Sequence, residues 1–203
     1  KDRVLWLHDL WNDPENNHLR EEESRKKFKK LVFVSNYQMH TFCMGLGVPY
    51  DNCHVMRNAI DPVQPKLINK PDPKKEIRLI YHTTPHRGLE LLVPVFEFLC
   101  KEHDNLHLDV FSSFEIYGWK HRDKQYEQVF EACQKHPKIT YHGFQPHNKV
   151  VEALGKAHIF AFPSIWVETS CIAVIEAMSA KCLTVTNNLG ALPETCANFA
   201  SMY

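Results

Sequence analysis

The sequence predicts an α/β protein built on a doubly wound parallel sheet. Two observations lead there. Apolar strands of about 4–6 residues alternate with helix-length segments, the rhythm that right-handed β-α-β crossovers require. A charged, proline-rich stretch then divides the chain: Asp61 to Glu76 holds Pro62, Pro65, Pro71 and Pro73 and reads as a linker. The expected organisation is residues 1–60 as the end portion of one domain, 61–76 as the linker and 77–203 as a second domain, incomplete at its end.

The elements follow in order. Val4–Leu7 is a strand that ends at His8-Asp9. Glu15 to Lys30 is charged and reads as a helix, with Leu19 and Phe28 as sparse apolar points. Leu31–Ser35 is a buried strand, Tyr37 to Gly45 a short helix closed by glycine, and Cys53–Met56 a short strand. After the linker come strand Ile77–Tyr81, helix Leu89–Cys100, strand Leu106–Phe111 and helix Lys124–Gln134. Strand Ile139–Tyr141, helix Asn148–Gly155, strand Ile159–Phe162, helix Ile172–Ser179 and strand Leu183–Thr186 complete the pattern. In such sheets a ligand sits beyond the strand C-termini.

Composition excludes several classes. Lys plus Arg and Asp plus Glu both number 24, so the formal net charge is zero, which argues against nonspecific nucleic-acid binding. No run approaches the roughly 18 apolar residues of a membrane helix. The seven cysteines are odd in number and form no Cys-x-x-Cys pair, so a reducing, cytoplasmic compartment is expected. No zinc spacing accompanies the 13 histidines, and no metal site is expected. The basic run Arg25–Lys30 is either a solvated helix face or a peripheral membrane contact. The chain opens on a core-like strand without Met, and is read as an excerpt of a longer protein.

The most informative motif is Glu168-Thr-Ser-Cys-Ile-Ala-Val-Ile-Glu176. Glu168 falls in the loop after strand Ile159–Phe162, and Glu176 inside the next helix. A helix start flanked by two carboxylates suits a phosphate attached to a sugar. The amides of Cys171 and Ile172 would form that helix start, while the Cys171 side chain is either inert or a reactive thiol. Glu176 lies on an apolar helix, so it either grips ribose hydroxyls or faces water. Arg87, before an apolar helix, can fork onto a diphosphate or be a surface cation. Thr83 and Thr84 either bond the same phosphates or cap the helix. Gly143 and Phe144 follow a strand and either receive a flat base or make an ordinary turn. Gly190-Ala-Leu-Pro-Glu194 is either a loop bordering the site or merely a turn. His8 is a strand-end residue, structural or aimed into a cleft.

Together these residues resemble glycosyltransferase family 4. Pro163-Ser164, Glu168-x7-Glu176-Ala-Met and Gly190-Ala-Leu-Pro-Glu194 are similar to its C-terminal half. Arg87-Gly88-Leu89 resembles its basic-Gly-Leu segment, and Met56-Arg-Asn-Ala-Ile-Asp61 its hinge, with Ala59 where glycine is usual. The resemblance implies a GT-B-like fold of two Rossmann-like domains and retaining transfer from a UDP- or GDP-sugar to a hydroxyl acceptor, without metal or cofactor. It also implies roles. Glu168 contacts the transferred sugar, Glu176 the ribose, Arg87 and Gly88 the diphosphate, and His8-Asp9 the region near the anomeric carbon. The remaining donor-binding candidates are His82, Thr83, Thr84, Gly143, Phe144, Ser170, Cys171 and Ile172. The chain departs from the family pattern at His82, where arginine is frequent, and at Ser170-Cys171, where Phe-Gly is usual. A nucleotide-sugar epimerase and a non-enzymatic nucleotide-sugar-binding module are the alternatives.

Overall fold

The computed structural model describes residues 2–203. In chain order the elements are β1 (Val4–Leu7), α1 (Glu22–Arg25), β2 (Lys30–Phe33), α2 (Asn36–Leu46), β3 (Cys53–Val55), β4 (Ile77–Tyr81), α3 (Leu89–Leu99), β5 (Leu106–Val110), α4 (Glu127–Lys135), β6 (Ile139–Tyr141), α5 (His147–Leu154), β7 (Ile159–Phe162), α6 (Ile172–Ser179), β8 (Leu183–Thr186), α7 (Leu192–Cys196) and β9 (Ala200–Met202). They form two compact units. The first comprises the residues up to Ala59 with Val167–Ile172 and Asn188–Ala197; the second comprises Ile60–Trp166, Ala173–Asn187 and Asn198–Tyr203.

The first unit holds a three-stranded sheet in the order β1-β2-β3, parallel at both pairings. Its core is Leu7, Leu19, Leu31, Phe33, Phe42 and Leu46, with the Phe33 and Phe42 rings 5.1 Å apart. Ser35 caps α2 by accepting from the Gln38 N–H, and Gly47 closes the helix at φ 69°, the left-handed conformation that glycine adopts without steric cost. The stretch Glu15–Lys30 is not one helix. Pro14–Arg20 forms a 3₁₀ helix, and only Glu22–Arg25 is α-helical. Leu19 is fully buried while Glu22–Arg25 buries nothing, so no continuous apolar stripe exists to hold a longer helix.

The second unit holds a six-stranded sheet in the order β6-β5-β4-β7-β8-β9, parallel throughout. Phe160, Phe162, Ile80, Leu108 and Val110 are each fully buried, as expected of strands covered on both faces. Two elements differ from the sequence reading. Leu192–Cys196, in the first unit, is a helical turn rather than loop, because a proline in the first turn costs no hydrogen bond. Ala200–Met202 is an added edge strand. Helix α4 is preceded by a 3₁₀ segment over Lys120–Tyr126. The proline-rich stretch runs along the second unit: the Val63 N–H donates to Ser179 Oγ at 2.9 Å and the Asn69 N–H to the Gly155 carbonyl at 2.9 Å. Among the described residues no helix is long and apolar enough to cross a membrane.

Candidate functional site

Strand order points to a candidate site in the second unit. From β4 the chain winds outward through β5 and β6 on one side, and β7 starts the other side through β8 and β9. The neighbours β4 and β7 therefore flank a topological switch point, the place where sheets of this kind bind ligands. Those loops are His82–Gly88 and Pro163–Trp166. They meet at Gly88, whose φ is 107° and where a Cβ would stand 2.1 Å from the Pro163 carbonyl oxygen. Pro85–Arg87 is a 3₁₀ turn, so Arg87 ends that turn and Gly88 stands as the N-cap before α3. The Tyr81 hydroxyl donates to the Thr84 carbonyl at 2.9 Å, and Arg87 Nε donates to Thr84 Oγ1 at 3.3 Å. Thr84 thus orients Arg87 and makes no side-chain cap. On the facing loop, Ser164 Oγ donates to the Trp166 carbonyl at 3.0 Å, and Asn187 Nδ2 donates to the Ser164 carbonyl.

Buried polar atoms without partners gather at this edge. His82 Nε2, Thr83 Oγ1 and His86 Nδ1 after β4, and Ser112 Oγ after β5, have no hydrogen-bond partner among the described residues. Each such atom costs about 1–3 kcal/mol until something bonds it. The His82 side chain is 3% exposed; burial pushes its pKa down to about 4, against a partial opposing pull from the Ala173 backbone. His86 lies stacked on Phe114 at 5.2 Å and edge-on to Trp166 at 4.9 Å. Burial first, then the Arg87 and Arg122 charges, lower it to about 4. Both imidazoles are neutral at pH 7, so the only full cation in this loop is Arg87.

Glu176 neither faces water nor stands bare. Its carboxylate is 14% exposed and lies 2.6 Å from His147 Nε2 and 4.0 Å from His82 Nδ1. His147, at the first turn of α5, was not foreseen from sequence. A histidine just after Pro146 at a helix start is an inconspicuous signal, and its partner lies in another helix. After β6, His142 stacks on Phe111 at 4.1 Å and bonds Asp109 at 2.8 Å. Burial would raise the Asp109 pKa, but hydrogen bonds from His107 and His142, with the His107 and Arg78 charges, bring it well below the usual carboxylate range. This anchors the turn at Gly143, φ 62°, and leaves Phe144 44% exposed.

The remaining candidates lie in the first unit. His8 and Asp9 are exposed beyond β1. Thr169 Oγ1 donates to the His8 carbonyl at 2.7 Å, and Gln38 Nε2 to the Asp9 carbonyl at 2.8 Å. The Glu168 loop is thereby fixed beside the end of β1. Glu168 is 4% exposed, and its carbonyl accepts from the Ala191 N–H at 2.8 Å. Gly190, φ 65°, lies so close that a Cβ would come 2.6 Å from the Glu168 carbonyl oxygen. Ser170 is half-buried, Cys171 is buried and Ile172 is exposed at the start of α6. Among the described residues no group of three or more His, Cys, Asp or Glu could hold a metal ion.

Comparison with known proteins agrees with this architecture. The family model described as glycosyl transferases group 1 matches residues 62–202. A phosphatidylinositol N-acetylglucosaminyltransferase subunit of Arabidopsis thaliana is 31% identical over 167 residues, covering 81% of this chain and 36% of that protein. The Homo sapiens protein of the same name is 28% identical over 145 residues, 69% of this chain and 28% of its own. The chain thus spans about a third of the length of these relatives. Among solved structures, a glycosyltransferase from Rickettsia africae superposes with a TM-score of 0.72 at 19% identity, over 96% of this chain and 54% of that one. HepE of Anabaena, crystallised with UDP and glucose, gives 0.72 at 16% identity, over 96% and 55%. The fold is of the GT-B type. With more than two thirds of its length under the family model, the chain belongs to group 1 of the glycosyl transferases.

Proposed function

We propose that the chain carries the donor-binding part of a family 4 retaining glycosyltransferase that moves N-acetylglucosamine from a nucleotide-diphosphate sugar to a hydroxyl of phosphatidylinositol. The family match supports sugar transfer, and the names of the relatives supply the sugar and the lipid. The observation that carries the donor site is the switch point between β4 and β7, where backbone closes on backbone at Gly88 and Pro163 and buried polar atoms await partners. A diphosphate offers acceptors to all of them. In this reading Arg87 supplies the positive charge where the leaving diphosphate becomes more negative. The Cys171 and Ile172 amides add the helix-start field of α6. Thr83 donates a hydroxyl to the phosphates. Glu176 takes the ribose hydroxyls, held ready by His147. Gly143 and Phe144 receive the base. Glu168, His8 and Asp9 contact the transferred sugar. No metal or cofactor takes part.

The test is transfer of radiolabelled N-acetylglucosamine from its UDP and GDP conjugates to phosphatidylinositol vesicles. The expected result is lipid-linked product with the anomeric configuration retained, reduced about 10²–10³-fold in Arg87→Ala and Glu168→Ala. Unimpaired transfer by both variants would refute the assignment. Donor binding without any transfer would instead support a binding module, and conversion of donor alone an epimerase.

A further inference from the structure

The connection between β5 and α4 carries an exposed surface over Ile116–Arg122. Ile116, Tyr117 and Trp119 are 61%, 50% and 45% exposed, and every residue from Ile116 to Arg122 is exposed. Large apolar side chains gathered in water mark a contact surface. The segment is firmly built. Ser113 Oγ donates to Asp123 Oδ2 at 2.5 Å and the Phe114 N–H to Asp123 Oδ1 at 2.7 Å. The Gly118 N–H donates to the Glu115 carbonyl at 2.8 Å and the Trp119 N–H to the Phe114 carbonyl at 3.1 Å. Phe114 is buried beneath as a plug. The apolar tips are therefore held outward by a hydrogen-bonded scaffold.

Cations follow directly. Lys120, Arg122 and Lys124 are all exposed. The two acidic residues of the segment are committed, Asp123 to the scaffold and Glu115 to Lys120 at 2.9 Å. The Arg122 guanidinium sits 4.5 Å over the Trp119 ring, which brings its charge level with the aromatic tips. Indole and phenol rings beside cations are the side-chain set of the bilayer–water interface, where the rings enter the headgroup layer and the cations meet lipid phosphates. Three tips bury far less than the roughly 1,200 Å² a stable protein interface needs, whereas a bilayer imposes no such minimum. We propose that the protrusion Ile116–Lys124 docks the second unit on an anionic bilayer, with Ile116, Tyr117 and Trp119 in the headgroup layer and Arg122 and Lys124 against lipid phosphates. This inference stands on the surface alone, independently of the donor site.

The test is flotation of the full chain with vesicles of phosphatidylcholine alone and of phosphatidylcholine with phosphatidylserine. The parent is expected to float with the mixed vesicles and far less with the neutral ones. The triple variant Ile116→Ser/Tyr117→Ser/Trp119→Ser, and separately Lys124→Glu, should each lose about tenfold in bound fraction. Unchanged melting temperatures would show that these exposed substitutions leave the fold intact. A parent that stays with neither vesicle, equal binding to both, or a triple variant that floats like the parent overturns the proposal; the last outcome would leave the surface to a protein partner. Calorimetric titration of the same variants with UDP-N-acetylglucosamine reads the donor site separately, so failure of docking and failure of the donor reading are distinguished.

Discussion

Gly88 shows how one residue fixes the site. Its φ of 107° excludes most side chains, and a methyl group there would meet a backbone carbonyl at 2.1 Å, which no rotamer change relieves. Gly88→Ala should cost about 1–3 kcal/mol of stability in urea titration and weaken nucleotide-sugar binding with it. His82 sets a pH dependence. Its unfolded value is 6.5 and its folded value about 4, so between these pH values only the unfolded chain takes up the proton. Stability therefore falls as pH drops from 6.5 to 4, by about 3 kcal/mol from this residue. His82→Leu should flatten that part of the profile, as read from urea midpoints at pH 7 and pH 5; an unaltered slope would contradict the burial argument. Positions such as Arg87-Gly88 were legible because a strand, a glycine and an apolar helix follow each other in sequence. The His147–Glu176 pair and the aromatic cage around His86 were not. Their partners come from separate elements, and no spacing rule joins residues 29 positions apart.

At the scale of elements, α2 shows an ending that sequence could not supply. Four N–H groups at a helix start lack intrahelical partners. Here Glu194 accepts from the Asn36 and Tyr37 N–H groups, each at 3.1 Å, and from Arg57 Nη2 at 2.9 Å. Burial would raise the Glu194 pKa, but these bonds outweigh it and hold it below its ordinary value. Its contribution is complete above the unfolded value of 4.5 and is lost as pH falls through the lower folded value. Glu194→Gln should cost about 1 kcal/mol at pH 7 and much less in acid, which urea titration at both pH values checks. The eight strands β1 to β8 were legible to within a residue or two at each end, because β-branched and aromatic runs between turn residues have few alternatives. The ninth, Ala200–Met202, lacks that signature and exists through its pairing with β8. The stretch Glu15–Lys30 misled through its charge, since charge permits a helix without holding one to a core.

For the whole molecule, the alternation of strand and helix was enough to give the fold class, and the strand order explains why the proposed site is put at β4 and β7. The sequence cannot state that order. It emerges when β7 pairs beside β4 rather than beside β6. Binding of a nucleotide sugar to the folded chain alone should stabilise it by about 2.7 kcal/mol at a ligand concentration one hundred times Kd, visible as a rise in melting temperature. The central claim is that the loops at the switch point between β4 and β7 grip the donor diphosphate. Isothermal titration calorimetry of the full chain with UDP-N-acetylglucosamine tests it most directly. The account predicts a single site that weakens at least about tenfold in Arg87→Ala; equal affinity in parent and variant, or no nucleotide-sugar binding by the parent, would contradict it.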